Sequence, residues 1–544
     1  MEFQRILLLS IFSFSIFLLW DGWHRQNQPV PQVIAASSTP APSASLIADK
    51  TDKQPLGPII VKQNTLNGEK ITVTTDFFKA EISTAGGDIT QIELLKQFDT
   101  TDKTKPFQLF RQDHEHTYIA QSGLLGPNLP THNTIFTSEF KQYALIDGSD
   151  SIKIRMFSAN NSGSKVSKIF VFHKSSYIID IEYVIENTSK DAIQSSAYFQ
   201  LVRDNFEPVG STKFVPTYTG PAVYTEKDKF SKIDFDSIEK NKAHMPATTD
   251  NGWVGMLQHY FVSAWIPVGD TKREFYSKKL DNGLYSVGLI LPLDKIEPAQ
   301  TGTITVPLYV GPAQSKLDDI APGLGLTVDY GFLTIIAKPI FWLLSVIHGW
   351  VHNWGFAIII LTILIKLAFF PLSAASYRSM AKMRVVAPKL AKIKEQYSDD
   401  REKLNRAMMD LYKVEKINPL GGCLPVLIQI PVFISLYWSI LASVEMRYAP
   451  FIGWITDLSR SDPYYVLPVI MGVSMYLQSK LNPTPPDPMQ AKLMQIMPVA
   501  FSVIFFFFPA GLVLYSVVNN ILSIAQQWYI TRNIEAAVKG VAKV

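Results

Sequence analysis

Long apolar windows in the C-terminal part of the chain restrict its possible folds more than any other feature of the sequence. A helix crosses a hydrocarbon core of about 30 Å at about 1.5 Å per residue, so each window is long enough, or nearly so, to span a membrane. The windows are Gly355–Ser373, Leu424–Val444, Tyr464–Ser479, Met494–Phe508 and Leu512–Ile530. The sequence therefore predicts a multi-pass α-helical membrane protein in this region.

A further apolar stretch, Ile6–Trp20, lies near the N-terminus between charged residues. No small-x-small cleavage site follows closely, because the next residues include the bulky Trp23. We therefore predict an uncleaved signal anchor over residues 1–25, with its N-terminus in the cytoplasm. The following segment, 26–57, is rich in proline, alanine and serine, which is typical of a disordered linker.

Basic residues indicate how the spans are oriented. Eleven lysine and arginine residues fall in 375–418, whereas the loop 445–463 holds only two. Basic loops stay in the cytoplasm, so we place 375–418 inside. A span over Gly331–Trp350 would put that loop outside, so we predict that 326–352 forms an amphipathic helix on the outer membrane surface. The expected result is six transmembrane helices, with both termini in the cytoplasm.

Residues 58–325, before these helices, show the period-two alternation of β-strands. Ile71–Ile82 alternates, Ala85–Asp88 marks a turn, and Ile89–Leu94 alternates again. Similar runs are Lys165–His173, Tyr177–Ile185, Trp253–Trp265, Tyr285–Leu291 and Thr301–Tyr309. Many short strands and few helical patterns predict an all-β sandwich of about 260 residues outside the membrane.

The complete prediction divides the chain into eight segments. These are the signal anchor 1–25, the linker 26–57, the β-sandwich 58–325, the surface helix 326–352, transmembrane helix 2 at 353–374, a cytoplasmic helical hairpin at 375–418, transmembrane helices 3–6 at 419–532 and a cytoplasmic tail at 533–544.

Lys366 is the charged residue that most needs an explanation, because it lies in the apolar run Ala357–Phe370. A lysine near the centre of a membrane helix costs about 2.5–3.5 kcal/mol on insertion scales. One interpretation is a snorkelling lysine, since the predicted cytoplasmic end of the span is near. The other is a basic residue that faces a wet cavity.

Other polar side chains are expected at a similar depth. Thr362 lies one helical turn from Lys366, and the directions of the later spans bring Gln429 and Asn519 into the same half of the membrane. The outer halves, such as Phe505–Phe508, are apolar. This pattern favours a cavity that is open to the cytoplasm and closed outside. Hydrogen bonding between helices is the alternative for the Asn and Gln residues.

The basic segment 375–418 is predicted to form two helices with a break near Ser398–Asp400. Its methionines are flexible and polarizable, which suits a surface that accepts many apolar sequences. They are Met380, Met383, Met408 and Met409. The alternative is a solvated hairpin in which methionine only fills gaps.

Several kinds of chemistry receive no support from the sequence. The single cysteine, Cys423, excludes an intrachain disulfide. There is no nucleotide-binding loop, no metal-ligand spacing and no nucleophile–base set, so we expect no cofactor, no metal and no enzymatic activity. The net charge of +4 gives no reason to expect nucleic acid as a partner.

Five short motifs occur in order over about residues 330–530. They are Ser379–Met383, Asn418–Pro425, Asp462–Pro468, Asp487–Met489 and Phe508–Tyr515. With them the chain resembles the YidC/Oxa/Albino family of membrane protein insertases, and the anchor and outer domain are similar to its Gram-negative type. The resemblance implies a periplasmic β-supersandwich, a fold shared with sugar-binding mutarotase-like domains, and a core of five transmembrane helices.

The resemblance also implies a function at the cell inner membrane. Nascent membrane proteins would enter through a positively charged groove in the inner leaflet, alone or with the Sec translocon. Lys366 would receive the polar tail of the client, although Gram-negative members usually have arginine there. Thr362 and Tyr515 would contact the client, with Gln429 and Asn519 in the same groove. An apolar slide for clients is expected at Leu427, Ile430, Phe433 and Phe506.

The implied partners are the Sec translocon with its accessory subunits, the lipid bilayer and the ribosome. Ribosome binding should be weak or transient, because the tail is short and only mildly basic. A secondary transporter or channel with a periplasmic binding domain is the main alternative, but we find no internal repeat. A sugar-active enzyme is a further alternative, and no acidic pair or histidine at recognisable spacing supports it.

Overall fold

The computed structural model describes residues 68–541, apart from 100–101, 159–162, 207–217, 247, 331–332, 398–399, 416–423, 483–491, 493–495, 497–499 and 501. These described residues belong to one compact unit, Lys62–Val544. The predicted signal anchor and linker, as well as Cys423, lie outside the described residues. So does part of the predicted fifth span.

Eighteen strands form two nine-stranded sheets, which we call the β domain (residues 70–312). The strands are β1 Lys70–Thr74, β2 Phe78–Ser83, β3 Ile89–Phe98, β4 Pro106–Gln112, β5 Thr117–Leu125, β6 Phe136–Ser138, β7 Gln142–Ala144, β8 Ser151–Ser158, β9 Ser164–His173, β10 Ile178–Asn187, β11 Ser196–Arg203, β12 Thr219–Thr225, β13 Lys229–Lys232, β14 Trp253–Gln258, β15 Phe261–Trp265, β16 Glu274–Lys279, β17 Tyr285–Pro292 and β18 Thr301–Pro312.

The first sheet has the order β16-β17-β11-β5-β4-β3-β2-β1-β7, and the second has the order β13-β12-β14-β15-β18-β10-β9-β8-β6. Among the described residues, all the strand pairings are antiparallel except the short one between β1 and β7. Apolar side chains from alternate positions of both sheets form one core, which includes Phe78, Phe172 and Phe199. The prediction of a β-rich domain before the helices is therefore confirmed.

Two runs that alternate in the sequence are hairpins in the structure. The run Ile71–Ile82 is interrupted where the Thr75 hydroxyl accepts hydrogen bonds from the backbone N–H groups of Phe77 and Phe78. The run Trp253–Trp265 turns at His259, whose φ is 51°. Each run therefore contains two strands, because a tight turn can preserve the apolar alternation on both sides of it.

A buried polar cluster joins the two sheets. The ammonium of Lys168, on β9, donates to the backbone carbonyls of Gly86 and Ser122 at 3.0 and 3.4 Å. The carboxylate of Asp88 accepts from the side-chain amide of Gln121 at 2.7 Å. Burial raises the pKa of Asp88 to about 7, and burial lowers the pKa of Lys168 to about 8. Each charge is therefore costly to bury, and each partly stabilises the other.

Eight α-helices are described in this part of the chain. They are α1 Phe235–Glu239, α2 Thr334–Val351, α3 Trp354–Ala368, α4 Phe370–Gln396, α5 Arg401–Val414, α6 Leu424–Ala442, α7 Val466–Leu481 and α8 Ala510–Val541. The helices α3 and α4 meet at an angle of 67°. The helix α5 begins after Asp400, whose side chain caps it by accepting from the backbone N–H of Lys403, so the hairpin breaks where the sequence predicts.

Among the described residues, α2 is the one helix that is long and apolar enough by itself to cross a membrane, and the bent pair of α3 and α4 meets the same criterion together. Ala337, Phe341 and Leu344 on one face of α2 are buried, while Trp342 and Trp350 are exposed. The surface position that we predict for this helix stays a prediction, because its length and composition also suit a span.

Candidate functional site

A small, partly open pocket lies between α3, α4 and α6. Its lining combines one lysine and two neutral polar residues with apolar side chains. The residues are Ile365, Lys366, Phe369, Leu372, Ser373, Gln429 and Val432. Two of the residues singled out from the sequence, Lys366 and Gln429, therefore line the same pocket.

The local sequence explains why the pocket forms at this place. The helix α3 is capped at its N-terminus by Asn353, whose side chain accepts a hydrogen bond from the backbone N–H of Phe356. It ends at Ala368, and Pro371 lies in the first turn of α4, where its missing N–H is tolerated. The bend between the two helices turns α4 away from the axis of α3. Lys366, in the last turn of α3, is therefore left beside open space.

Lys366 has a hydrogen-bond partner on α8. Its ammonium donates to the hydroxyl of Ser523 at 2.6 Å, and that hydroxyl donates to the backbone carbonyl of Asn519 at 2.8 Å. Ser523 is not among the residues predicted from the sequence, because a serine in an apolar helix carries little signal by itself. Its spacing of four residues from Asn519, which places both on one helix face, was the signal that could have identified it.

Gln429 and Tyr515 connect α6 with α8. The side-chain amide of Gln429 donates to the hydroxyl of Tyr515 at 3.2 Å. Tyr515 is almost completely buried, whereas Gln429 is partly exposed toward the pocket. The tyrosine therefore supports Gln429 from behind and does not itself line the pocket.

Thr362 and Asn519 occupy different positions from the pocket residues. The hydroxyl of Thr362 donates to the backbone carbonyl of Ile358 at 2.6 Å, and its side chain is fully buried. Asn519 contributes its backbone carbonyl to Ser523. The neighbouring Asn520 donates to the hydroxyl of Ser474 at 2.8 Å, which is a contact between helices. Neither Thr362 nor Asn519 lines the pocket.

The predicted slide residues are not brought together by the contacts that the structure describes. Ile430 is 41% exposed beside the pocket residue Gln429. Phe433 packs against Phe505 and Phe508, with ring centroids 6.4 and 6.3 Å apart. Phe506 instead contacts Tyr465 at 5.1 Å. The side chain of Leu427 lies outside the described residues.

The other end of the helix group is held closed by the loop between α6 and α7. The backbone N–H of Gly511 donates to the backbone carbonyl of Leu458 at 3.0 Å. The backbone N–H of Ala510 donates to the backbone carbonyl of Arg460 at 2.7 Å. The buried carboxylate of Asp462 accepts from the indole of Trp454 and from the backbone N–H of Leu467. The loop between α6 and α7 therefore packs over the end of the helix group that is opposite the pocket.

The hairpin methionines have unequal environments. Met383 and Met408 pack between α4 and α5 around Val386 and Leu390. Met380 packs against a cluster that includes Ile530 of α8. Met409 is 50% exposed, so it alone of the four is available to a partner without rearrangement of the hairpin.

The chemistry of the pocket is that of binding. A primary ammonium with one hydroxyl partner retains donors for a carboxylate or a peptide carbonyl. Among the described residues, no group of three or more histidine, cysteine, aspartate or glutamate side chains could hold a metal ion. The arrangement offers positive charge, neutral polar contacts and adjacent exposed apolar surface.

Comparison with known proteins gives matches over almost the whole chain. Residues 70–343 match the family model of the YidC periplasmic domain, and residues 346–537 match that of the 60Kd inner membrane protein. The membrane protein insertase YidC of Nitrosospira multiformis is 53% identical over 564 residues, with 100% of this chain and 99% of the relative covered. The one of Dechloromonas aromatica is 53% identical over 546 residues, with 99% of each covered.

A solved structure of an active YidC insertase, with its first transmembrane domain resolved, is also similar to this chain. The two are 20% identical, the TM-score is 0.40, and the match covers 85% of this chain and 92% of the other.

Proposed function

Because the chain belongs to the YidC family of membrane protein insertases, we propose that it inserts integral proteins into the cell inner membrane through the pocket beside Lys366. The insertase function rests on the full-length identity with curated relatives. The role of this pocket is supported by one observation: the ammonium of Lys366, held by the hydroxyl of Ser523, lines a pocket at one end of a helix group whose other end is closed by packed chain.

The physical role of Lys366 is that of a transient counter-ion. An acidic client tail must lose water as it enters the membrane, and attraction to the ammonium offsets part of that cost. The membrane potential, negative inside, then favours outward movement of each negative charge by about 2.3 kcal/mol per 100 mV. A moderate affinity suits this role, because a client that is bound too tightly would not leave.

We also propose that the protein has the membrane arrangement predicted above. Six transmembrane helices, cytoplasmic termini and a periplasmic β domain would put the pocket and the α4–α5 hairpin on the cytoplasmic side. The protein would act without enzymatic chemistry or cofactor, on nascent membrane proteins. The Sec translocon and, transiently, the ribosome are the partners that we propose from the family resemblance.

Substitutions of Lys366 test the role of the pocket. Single-spanning clients with zero, one or two aspartates in the translocated tail would be followed by protease protection. Lys366→Arg should retain activity, since the charge remains. Lys366→Ala should impair insertion more strongly with each added aspartate, and Lys366→Glu should be worst because like charges repel in a poorly hydrated site.

A matched control is Lys480→Ala. Lys480 also lies in the last turn of a helix, but it stacks on the ring of Tyr476 at 5.1 Å and does not line the pocket. This variant should insert all three clients normally. If Lys366→Ala inserted the client with two aspartates as well as the unmodified protein did, Lys366 would be only a snorkelling residue.

A further inference from the structure

The segment that follows α6, residues 443–448, enters the end of the β domain. The side chain of Val444 is only 5% exposed and belongs to the apolar core between the two sheets. Two residues later, Met446 is fully buried in a second core, which joins side chains of the helices to side chains of the β domain such as Trp253 and Leu257. This short segment therefore contributes side chains to the core of the β domain and to the core that the β domain shares with the helices.

Arg447 makes the most extensive contacts in this segment. Its guanidinium donates to the backbone carbonyl of Phe98, at the end of β3, at 3.0 Å. It also lies over aromatic rings of the β domain, whose negative faces attract a cation. These rings, with distances from the guanidinium carbon to the centroid, are Phe107 at 5.7 Å, Tyr260 at 5.2 Å and Phe261 at 5.6 Å.

Neighbouring residues extend the same contact. The hydroxyl of Tyr448 donates to the backbone carbonyl of Asp99, and the ammonium of Lys103 lies 4.5 Å from the ring of Tyr448. On the other side, the His259 ring lies with its Nε2 3.3 Å from the carbonyl of Leu441, in the last turn of α6. Burial lowers the pKa of His259 to about 4, so its ring is neutral at physiological pH.

We propose that Arg447 is a positioning residue that docks the β domain on the end of α6 and so fixes where α6 holds Gln429 in the pocket. The helix is the mechanical link, since Gln429 lies about 20 Å along it from Ala442 at about 1.5 Å per residue. The position of Gln429 matters only if the pocket has the function proposed above. The docking of the β domain by Arg447 does not depend on that function.

Distances between nitroxide labels would test both parts in the full-length protein, reconstituted in lipid nanodiscs, in a Cys423→Ser background. One label pair, Lys190→Cys and Tyr464→Cys, joins the β domain to the loop before α7. A second pair, Leu367→Cys and Ile430→Cys, lies across the pocket, where both native side chains are exposed. Each pair would be measured in the parent and in variants of Arg447.

Both pairs should give one narrow distance distribution in the parent. Arg447→Ala should broaden both distributions, and Arg447→Lys should give intermediate widths, because lysine retains the charge but loses the planar guanidinium. The control Arg155→Ala removes an exposed arginine from β8 and should change neither pair. A third pair inside the β domain, Lys190→Cys with Lys227→Cys, should stay narrow in every variant and show that this domain is folded.

Two results would overturn the proposal. An unchanged first pair in Arg447→Ala would show that Arg447 does not dock the β domain. A broadened first pair with an unchanged pocket pair would show that docking does not position Gln429. Because neither measurement needs a client, failure of the proposed insertase role of the pocket would leave both results interpretable.

Discussion

Ser523 shows how a common residue supports an uncommon charge. Its hydroxyl lies between the ammonium of Lys366 and the carbonyl of Asn519, so it holds the lysine on one side of the pocket. An ammonium that is anchored by one bond keeps its other donors directed to the open space. The position of the charge therefore depends on α8 as well as on α3.

Ser523→Ala should weaken insertion of clients with two aspartates, but less than Lys366→Ala does, because the charge remains. The variant loses one hydrogen bond to a charged group, and water can partly replace that bond. We therefore expect a loss of about 1 kcal/mol of stabilisation, which lowers the insertion rate roughly fivefold. Initial rates of protease protection would measure it. The control Ser516→Ala removes a hydroxyl that donates to Leu512 on the same helix, away from the pocket, and should have no such effect. Equal rates in the two variants would contradict the anchoring role.

Asp88 predicts a pH dependence for the stability of the β domain. Its pKa is raised to about 7 by burial, so between about pH 4 and 7 the folded state binds more protons than the unfolded state does. The contribution of Asp88 to the free energy of unfolding should therefore fall as the pH rises through this range, and the difference between the parent and Asp88→Asn isolates that contribution from those of other titrating groups. Asp88→Asn should remove this fall, and Glu297→Gln, an exposed carboxylate, should retain it.

Tryptophan fluorescence during denaturation of the full-length protein in detergent would report this, since Trp253 and Trp265 are buried in the β domain. Above about pH 8, loss of the Lys168 proton in the folded state should raise the free energy of unfolding again. If the unfolding free energies of the parent and of Asp88→Asn changed in parallel between about pH 4 and 7, the assignment of Asp88 would be contradicted.

Only those site residues that are unusual in their own sequence context could be predicted from the sequence. Lys366 is conspicuous because a charge in an apolar window is costly, and Gln429 follows from its depth in the next span. The burial of Thr362 could not be predicted, because it depends on which helix faces pack together. The role of Tyr515 behind Gln429 likewise depends on a contact between residues 86 positions apart.

Among the elements, the hairpin of α4 and α5 is built around its own small core. Met383 and Met408 fill that core, and Met409 remains exposed. Gap filling therefore explains Met383 and Met408. Met409, which is exposed, is the methionine best placed to contact apolar client segments. The positions of the methionines in the sequence could not separate these roles. The face of each helix that turns inward is known only once α4 and α5 are seen packed against each other.

Deletion of residues 377–416 should abolish insertion while the remaining protein stays stably folded in the membrane. Replacement of all four methionines by leucine should be tolerated, because a change between similar apolar volumes usually costs less than about 1.5 kcal/mol. Client protease protection would report activity, and size-exclusion chromatography would report folding. Normal insertion by the deletion variant would remove the hairpin from the mechanism.

The β domain shows where local patterns predict elements and where they fail. The long strands β9, β10 and β18 alternate clearly and were predicted nearly to their ends. The partly continuous apolar strands β5 and β11 were missed, because a strand covered on both faces has no alternation. The order of strands in each sheet was beyond prediction, since it depends on contacts distant in sequence.

At the scale of the whole molecule, the six-span arrangement predicts which sites react from outside the cell. In a Cys423→Ser background, cysteines at Lys190, Ile335 and Trp350 should react with an impermeant reagent in spheroplasts, and a cysteine at Glu395 should not. The two ends of α2 decide its placement, because a surface helix exposes both and a spanning helix exposes one. Labelling at Glu395 would contradict the whole arrangement.

The edges of the two sheets have a consequence for a protein that handles unfolded chains. Two edge strands, β6 and β7, have only three residues each. The other two, β13 and β16, carry lysine at or near their ends. Short and charged edges are poor templates for the addition of a further strand. A client that passes close by therefore meets poor templates at the described edges of the β domain, and this disfavours growth of a mixed aggregate with it.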